Sequence, residues 1–178
     1  KKLIKIKNKI DVVSILTESG NHYNHVIELS QYFKNLIVEK PAALKSKHVL
    51  KMNNVCKKYK TNLYFVQQNR FNKPIKKLKE IVNKKRLGKI VLCSVKLRWF
   101  RDQKYYDSDS WRGTKKYDGG VLSNQAIHHL DIMLWLMGKV KKLSSFYKTQ
   151  LAKIECEDTI AINFEFKNGA LGVFEATT

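Results

Sequence analysis

Cysteine, proline and acidic side chains are all in short supply in this chain, and each shortage excludes something. Three cysteines, Cys56, Cys93 and Cys156, are odd in number and far apart, so they fit neither a disulfide framework nor a zinc-ligand spacing. A reducing, cytoplasmic setting is the expectation, and no metal is expected. Only two prolines occur, against eight Phe, eight Tyr and three Trp. Disordered chains lack such aromatics, so a folded protein is indicated. No apolar run approaches the ~18 to 20 residues that cross a bilayer. The longest candidate, 127–137, is interrupted by His128, His129 and Asp131, so no membrane partner is expected. The first ten residues alternate Lys with Leu and Ile and show no apolar segment followed by a small-residue cleavage site. Also missing is G-x-G-x-x-G: the eight glycines stand at 20, 88, 113, 119, 120, 138, 169 and 172, and no three of them make that pattern.

With 35 basic against 15 acidic residues the formal net charge is +20. Such a balance ordinarily points to nucleic acid. Here only five of the basic residues are Arg and the rest are Lys, strewn over 1–9, 57–60, 76–86 and 139–142. Readers of bases and phosphates favour Arg gathered in a patch. The charge therefore reads as a solvated Lys-rich surface that at most helps draw in a small anionic substrate, and no nucleic-acid partner is expected.

Periodicity alternates short β-branched runs with longer amphipathic stretches. Strands are expected at 11–16, 35–38 and 63–66, separated by helices at 22–33 and about 45–60. Helical crossovers of this length between strands imply a parallel sheet, half of a doubly wound α/β domain. Near residue 70 the pattern changes. A Lys-rich helix at 73–86 has Pro74 near its start and Gly88 past its end. A strand at 89–99 follows, then a single helix at 121–137 stopped by Gly138, then strands at 140–149 and within 155–176, the last two joined by an Asn168-Gly169 hairpin turn. Residues 1–70 thus form one domain, and 71–178 a second, α+β domain with a mostly antiparallel open sheet.

Three constellations carry chemistry. Thr17-Glu18-Ser19-Gly20-Asn21-His22 joins the first strand to its helix at the carboxyl edge of the sheet, where ligands bind and helix N-termini offer free N–H groups; the plain alternative is that Ser19 or Asn21 caps the helix. Glu39-Lys40-Pro41 ends the second strand. Its lysine can reach a bound ligand or simply lie on the surface, and its X-Pro bond can take the cis form. In Asp118-Gly119-Gly120-Val121-Leu122-Ser123-Asn124-Gln125-Ala126-Ile127-His128-His129-Leu130-Asp131, Asn124 and His128 stand four apart. One helix face then holds both, with Asp131 three further on.

Taken together, a strand ending in Thr-x-x-x-x-His, then VEKPAAL (38–44), QNRFNKP (68–74), WRGT (111–114) and DGGVLSNQAIHHLDIMLWLMG (118–138) resemble the glucose-fructose oxidoreductase / inositol dehydrogenase / MocA family across nearly the whole chain. QNRFN, WRGT and NQAIHH most resemble its bacterial UDP-N-acetylglucosaminuronate 3-dehydrogenases, enzymes of surface-polysaccharide biosynthesis. The resemblance implies NAD as cofactor, a nucleotide-sugar substrate, and residues 1–70 as the C-terminal part of an NAD-binding Rossmann domain. It gives Lys40 a place beside the nicotinamide ribose and the reacting hydroxyl, and His128 the role of general base. Imidazole suits that role because its pKa sits near working pH. The family's Asp-x-x-x-His reads Asn124-x-x-x-His128 here. A neutral amide orients but does not stabilise imidazolium by charge, which shifts acid/base work toward Lys40. Asn124, Gln125, Arg98 and Asn69 fall on the substrate side by resemblance. Thr17, Asn21, His22, Glu39, Lys40, Pro41, Trp111 and Arg112 fall on the cofactor side. For Trp111 and Arg112 a buried Trp beside a salt-bridged Arg is the competing reading.

Against the family's full pattern, the chain is expected to be an internal fragment that starts before the fourth Rossmann strand and stops before the closing strands. Relatives associate through the open face of the second-domain sheet, so the alternating face of 155–176 is the expected homo-oligomer surface. Two other readings stay open: a family dehydrogenase acting on a different sugar or cyclitol, and a non-catalytic homologue that has lost the cofactor half.

Overall fold

The computed structural model describes residues 2–178. By its internal contacts the chain divides into two compact units. One runs up to Val66 and also includes Lys116–Gly119; the other comprises Gln67–Lys115 and Gly120–Thr178. A single cut at residue 70 leaves out the return of Lys116–Gly119 to the first unit.

The first unit opens with a short helix α1 (Lys2–Lys5) and continues β1 (Val13–Ile15), α2 (His22–Leu29), β2 (Asn35–Val38), α3 (Ser46–Tyr59) and β3 (Asn62–Phe65). The strands are parallel in the order β1-β2-β3, with Ile15 beside Val38 and Val38 beside Phe65. Val13, Ile15, Leu36 and Val38 pack with Val26, Phe33, Met52 and Cys56 into one buried cluster. Helix α3 stops at Lys60, which adopts left-handed backbone (φ 56°) and donates its N–H to the Lys57 and Cys56 carbonyls. Thr61 then fixes the α3–β3 turn by hydrogen bonds from its hydroxyl to the Ser30 and Phe33 carbonyls.

The second unit contains α4 (Lys73–Asn83), β4 (Leu92–Arg98), α5 (Gln103–Asp107), α6 (Gly120–Asn124), α7 (Ile127–Met137), β5 (Val140–Lys148), β6 (Thr159–Phe166) and β7 (Leu171–Thr177). Its sheet runs β4-β7-β6-β5, with β4–β7 parallel and the other two pairs antiparallel. The β6–β7 turn is the expected one. Gly169 sits at φ 86°, and the Asn168 side chain accepts from the Ala170 N–H at 3.0 Å. Strand alternation sends Leu97, Ile160, Ile162, Phe164, Phe166, Phe174 and Ala176 to one face, where Val121, Ala126, Met133 and Met137 of the helical segment cover them. Burying that cluster is the main stabilising contribution to this unit, at ~25 cal/mol per Å² of apolar surface removed from water.

The expected single helix over 121–137 is two helices. At the break the N–H groups of both Gln125 and Ala126 bond to the Val121 carbonyl, at 3.1 and 2.8 Å, so the turn widens by a residue. Such local widenings concentrate at functional sites. Asn124 and His128 therefore sit on separate helices, and the inference from their four-residue spacing that they share one helix face is corrected.

Candidate active site

In the first unit, the loops leaving β1 and β2 meet at the carboxyl ends of the strands, and His22 joins them. Its ring is 1% exposed, with Nδ1 2.8 Å from the Pro41 carbonyl oxygen and Nε2 2.9 Å from the Thr17 carbonyl oxygen. His22 is thus spent as a clamp, and the positions it gathers are those around Thr17 and Lys40-Pro41. The Lys40–Pro41 bond is cis. Glu39 accepts the Lys40 N–H at 2.9 Å, and its own N–H donates to the Ile15 carbonyl. Asn21 does not cap α2 with its side chain. Its amide donates to Glu18 at 2.8 Å. The Glu18 N–H and this Asn21 bond hold the Glu18 carboxyl below its ordinary range. Thr17 Oγ1 lies 3.0 Å from His25 Nδ1.

Gly20 explains how Lys116–Gly119 joins this unit. Its N–H donates to the Tyr117 carbonyl at 3.0 Å, and a Cβ at position 20 would fall on the Lys116 carbonyl oxygen. Only glycine permits that approach.

In the second unit, α6 and α7 carry the other expected residues. Glu157 holds the start of α6: its backbone carbonyl takes the Val121 N–H at 2.9 Å and its carboxylate takes the Leu122 N–H at 3.1 Å. Gly120 (φ 78°) leaves room for that carboxylate, which a Cβ would strike. A carboxylate against the free amides of a helix start is favourable. Gln125 is buried and donates to the Tyr105 hydroxyl at 3.3 Å. Less than one turn after His128, Asp131 accepts two bonds from Arg70, Nε–Oδ2 at 2.7 Å and Nη2–Oδ1 at 2.5 Å. The Asp131 hydrogen bonds raise the Arg70 pKa against the opposing effect of burial. Arg70 also stacks on Trp135, and Lys79 stacks on the same ring and donates to the Trp135 carbonyl. Helix α7 is therefore anchored to the QNRF turn (Gln68–Phe71), in which Asn69 is half-buried. Burial pushes the pKa of His129 down; its ring meets Trp99 edge-on, and its buried Nδ1 has no hydrogen-bond partner among the described residues.

Trp111 and Arg112 follow the competing reading in part. Arg112 Nε bonds Asp109 at 2.8 Å and Nη1 bonds the Tyr105 hydroxyl at 2.8 Å, while the guanidinium stacks on Trp111. Arg98 alternates with the inward Leu97 and so lies on the open face of the sheet, paired with Glu175, whereas α7 covers the opposite face. A cavity of about 390 Å³ opens there, lined by Arg98, Gln150, Leu151, Thr159, Glu175 and Thr177, and for the same reason it is no part of the His128 site.

The anchoring groups Glu157, Arg70 and Tyr105 escape a reading of local motifs because their partners are distant in sequence. One signal existed. The run Glu155-Cys156-Glu157-Asp158 is conspicuous in a chain with 15 acids among 178 residues. Among the described residues no group of His, Cys, Asp and Glu is arranged to hold a metal, and no helix is long and apolar enough to cross a membrane.

A three-stranded parallel sheet β1–β3 with its loops gathered at the carboxyl ends defines a Rossmann-type unit, and a four-stranded sheet covered on one face by helices defines an α+β unit. Two family descriptions fit the chain in that order: "Oxidoreductase family, NAD-binding Rossmann fold" over residues 1–68 and "GFO/IDH/MocA C-terminal domain" over 75–178. The chain belongs to the GFO/IDH/MocA oxidoreductase family. It is 36% identical to the WlbA dehydrogenase of Chromobacterium violaceum, solved with NADH and UDP-GlcNAcA, covering 98% of this chain and 51% of that one with a TM-score of 0.93. The Bordetella pertussis WlbA dehydrogenase, also solved with NADH and UDP-GlcNAcA, is 32% identical over 98% of this chain and 55% of that one, TM-score 0.94. A myo-inositol 2-dehydrogenase of Thermotoga maritima is 28% identical, covering 93% of this chain and 49% of the enzyme. The chain spans about half the length of these relatives.

Proposed function

We propose that this chain is the nicotinamide-side and substrate-side part of an NAD-dependent dehydrogenase that oxidises a secondary alcohol of a nucleotide sugar, C3 of UDP-N-acetylglucosaminuronate. The observation that carries the reading is the likeness, at 36% and 32% identity, to two dehydrogenases solved with NADH and UDP-GlcNAcA, in a chain that retains Lys40 and His128. The residues present suit the cofactor. The β1 and β2 loops are clamped by His22 at the carboxyl edge of a parallel sheet. Thr17, Asn21, Glu39, Lys40 and Pro41, with Trp111 and Arg112, are the positions that would hold it.

Bound NAD supplies the acceptor for the hydride that leaves the carbinol carbon. His128 takes the hydroxyl proton, and the Lys40 ammonium stabilises charge building on that oxygen. Asn124 orients by hydrogen bonding where the family has a carboxylate, so Lys40 bears more of the electrostatic work. Arg70 and Asp131 keep α7, and with it His128, in place. The open sheet face, with Leu92, Phe146 and Leu171 all more than half exposed, supports association between copies of the chain.

The substrate class is tested by following NADH formation by the full-length protein with UDP-N-acetylglucosaminuronate, UDP-N-acetylglucosamine and myo-inositol. Turnover of the first alone is expected. Turnover of myo-inositol in preference would move the substrate to the cyclitols, and no NADH from any would overturn the enzymatic reading.

A further inference from the structure

In a chain with six Lys for each Arg, an Arg marks a place where a planar, multidentate cation is required. Arg70, Arg98 and Arg112 each meet a carboxylate, and Arg86 is exposed. Arg101 is the exception. It is half-buried, its Nε is enclosed without a hydrogen-bond partner, and among the described residues no carboxylate lies within ion-pair distance of its guanidinium. The polar contact it makes is from Nη1 to the Phe100 carbonyl, at 3.1 Å. Two rings hold it in place, Trp99 with its centroid at 5.3 Å and Tyr105 at 4.9 Å. Tyr105 also carries Arg112 at 4.5 Å, and Trp111 closes the stack beyond Arg112 at 4.8 Å. The ladder Trp99, Arg101, Tyr105, Arg112, Trp111 thus contains two cations, and among the described residues Asp109 on Arg112 is the one carboxylate that answers them. Neighbouring Asp102 is committed to capping α5 through the Tyr105 N–H. The Tyr105 hydroxyl, through Gln125, ties the ladder to the break between α6 and α7.

A rigidly stacked guanidinium that is partly desolvated and left without an anion carries a cost unless an anion completes it. Resting on the nucleotide-sugar reading above, we propose that Arg101 is a substrate-binding residue whose guanidinium takes an oxyanion of the sugar nucleotide, either the uronate carboxylate or the diphosphate. Aromatic stacking fixes the fork before the ligand arrives, which lowers the ordering cost of binding.

The test is calorimetric titration of the full-length wild type, R101Q and R101K with UDP-N-acetylglucosaminuronate, UDP-N-acetylglucosamine, pyrophosphate and glucuronate, with thermal unfolding checking that each variant folds. R101Q is expected to weaken UDP-N-acetylglucosaminuronate by about tenfold or more, and R101K by less, since a charged hydrogen-bonded partner is lost outright only in the first. NADH affinity should stay within about twofold in both. A loss confined to the uronate assigns the carboxylate; an equal loss for UDP-N-acetylglucosamine assigns the diphosphate. Unchanged affinity of a folded R101Q, or of R101K should R101Q not fold, overturns the proposal. If the substrate reading itself fails, wild type binds neither nucleotide sugar. Pyrophosphate and glucuronate then decide: wild-type binding that R101Q weakens supports an anion site, and no wild-type binding or an unaltered variant overturns it.

Discussion

Replacing Asp131 by Asn should loosen the helix that carries His128, and the size of the effect follows from the geometry. Asp131 is 12% exposed and Arg70 37%, and two short, parallel bonds join them. Exposed ion pairs contribute ~0.2 to 1 kcal/mol, whereas removing one partner of a fully buried pair costs ~3 to 5. With one partner mostly buried and the other more than a third in water, the loss is about 1 to 2 kcal/mol, reduced from the buried value because solvent screens Arg70. Asn can still accept one of the two bonds, and the Arg70–Trp135 stack persists at 5.2 Å, so the middle of that range is expected. At a urea dependence of ~2 kcal/mol per M, the unfolding midpoint falls by about 0.5 to 1 M. Trp135 lies against the perturbed guanidinium, so tryptophan fluorescence reports the transition. R70K, which keeps the charge but loses the bidentate fork, should lose about half as much. A midpoint shift under ~0.1 M for D131N would show that this is an ordinary surface pair that anchors nothing.

Other perturbations read different parts of the account. Gly20→Ala places a Cβ on the Lys116 carbonyl and should destabilise by about 1 to 3 kcal/mol, as overpacking does; a neutral result in thermal unfolding would mean that Lys116–Gly119 is not held there. Burial works to raise the pKa of Asp158, but hydrogen bonds from the Ala152, Leu151 and Gln150 amides and the Thr159 hydroxyl outweigh it and leave the pKa lowered. Its stabilisation is therefore complete above the unfolded-state value of ~3.9 and drains away as pH falls through the lower folded value. Denaturation curves at descending pH should show this acid loss in the wild type and less of it in D158N. For His129, whose pKa burial lowers, the unfolded chain takes a proton near ~6.5 while the folded chain stays neutral, so stability declines as pH falls below that point. His129→Phe should flatten that decline at a neutral-pH cost under ~1 kcal/mol, because Nδ1 has no partner to lose; an undiminished decline in the variant refutes the assignment.

Much of the architecture is legible because local chemistry and tertiary demand agree. The run Asn35–Val38 reads as a buried parallel strand and is one, and Asn168-Gly169 makes the hairpin it predicts. The break at Gln125-Ala126 is not legible, since Glu157 and Tyr105, which grip its two sides, lie 20 or more residues away in sequence. Arg98 shows the opposite case: strand alternation beside the buried Leu97 already places it on the outward face. The helix at 103–107 is too short to show a periodicity, although Asp102 carries the capping signal, accepting the Tyr105 N–H. In the candidate site, Thr17, His22, Lys40 and His128 stand out in the sequence because they end strands or interrupt apolar runs. The anchoring of α7 by Arg70 depends on a contact across 61 positions that no local pattern records, and the Arg101 ladder, though drawn from 99–112, has no periodic spacing to announce it.

The most direct measurement is steady-state NADH formation from UDP-N-acetylglucosaminuronate by the full-length protein, comparing wild type with K40A and H128A. Loss of a positioned acid or base ordinarily costs ~10² to 10⁴ in rate. Turnover is predicted to fall at least about tenfold in each variant, with NADH affinity, read by fluorescence titration, little changed. Undiminished turnover in both would contradict the assignment of Lys40 and His128 to the chemistry.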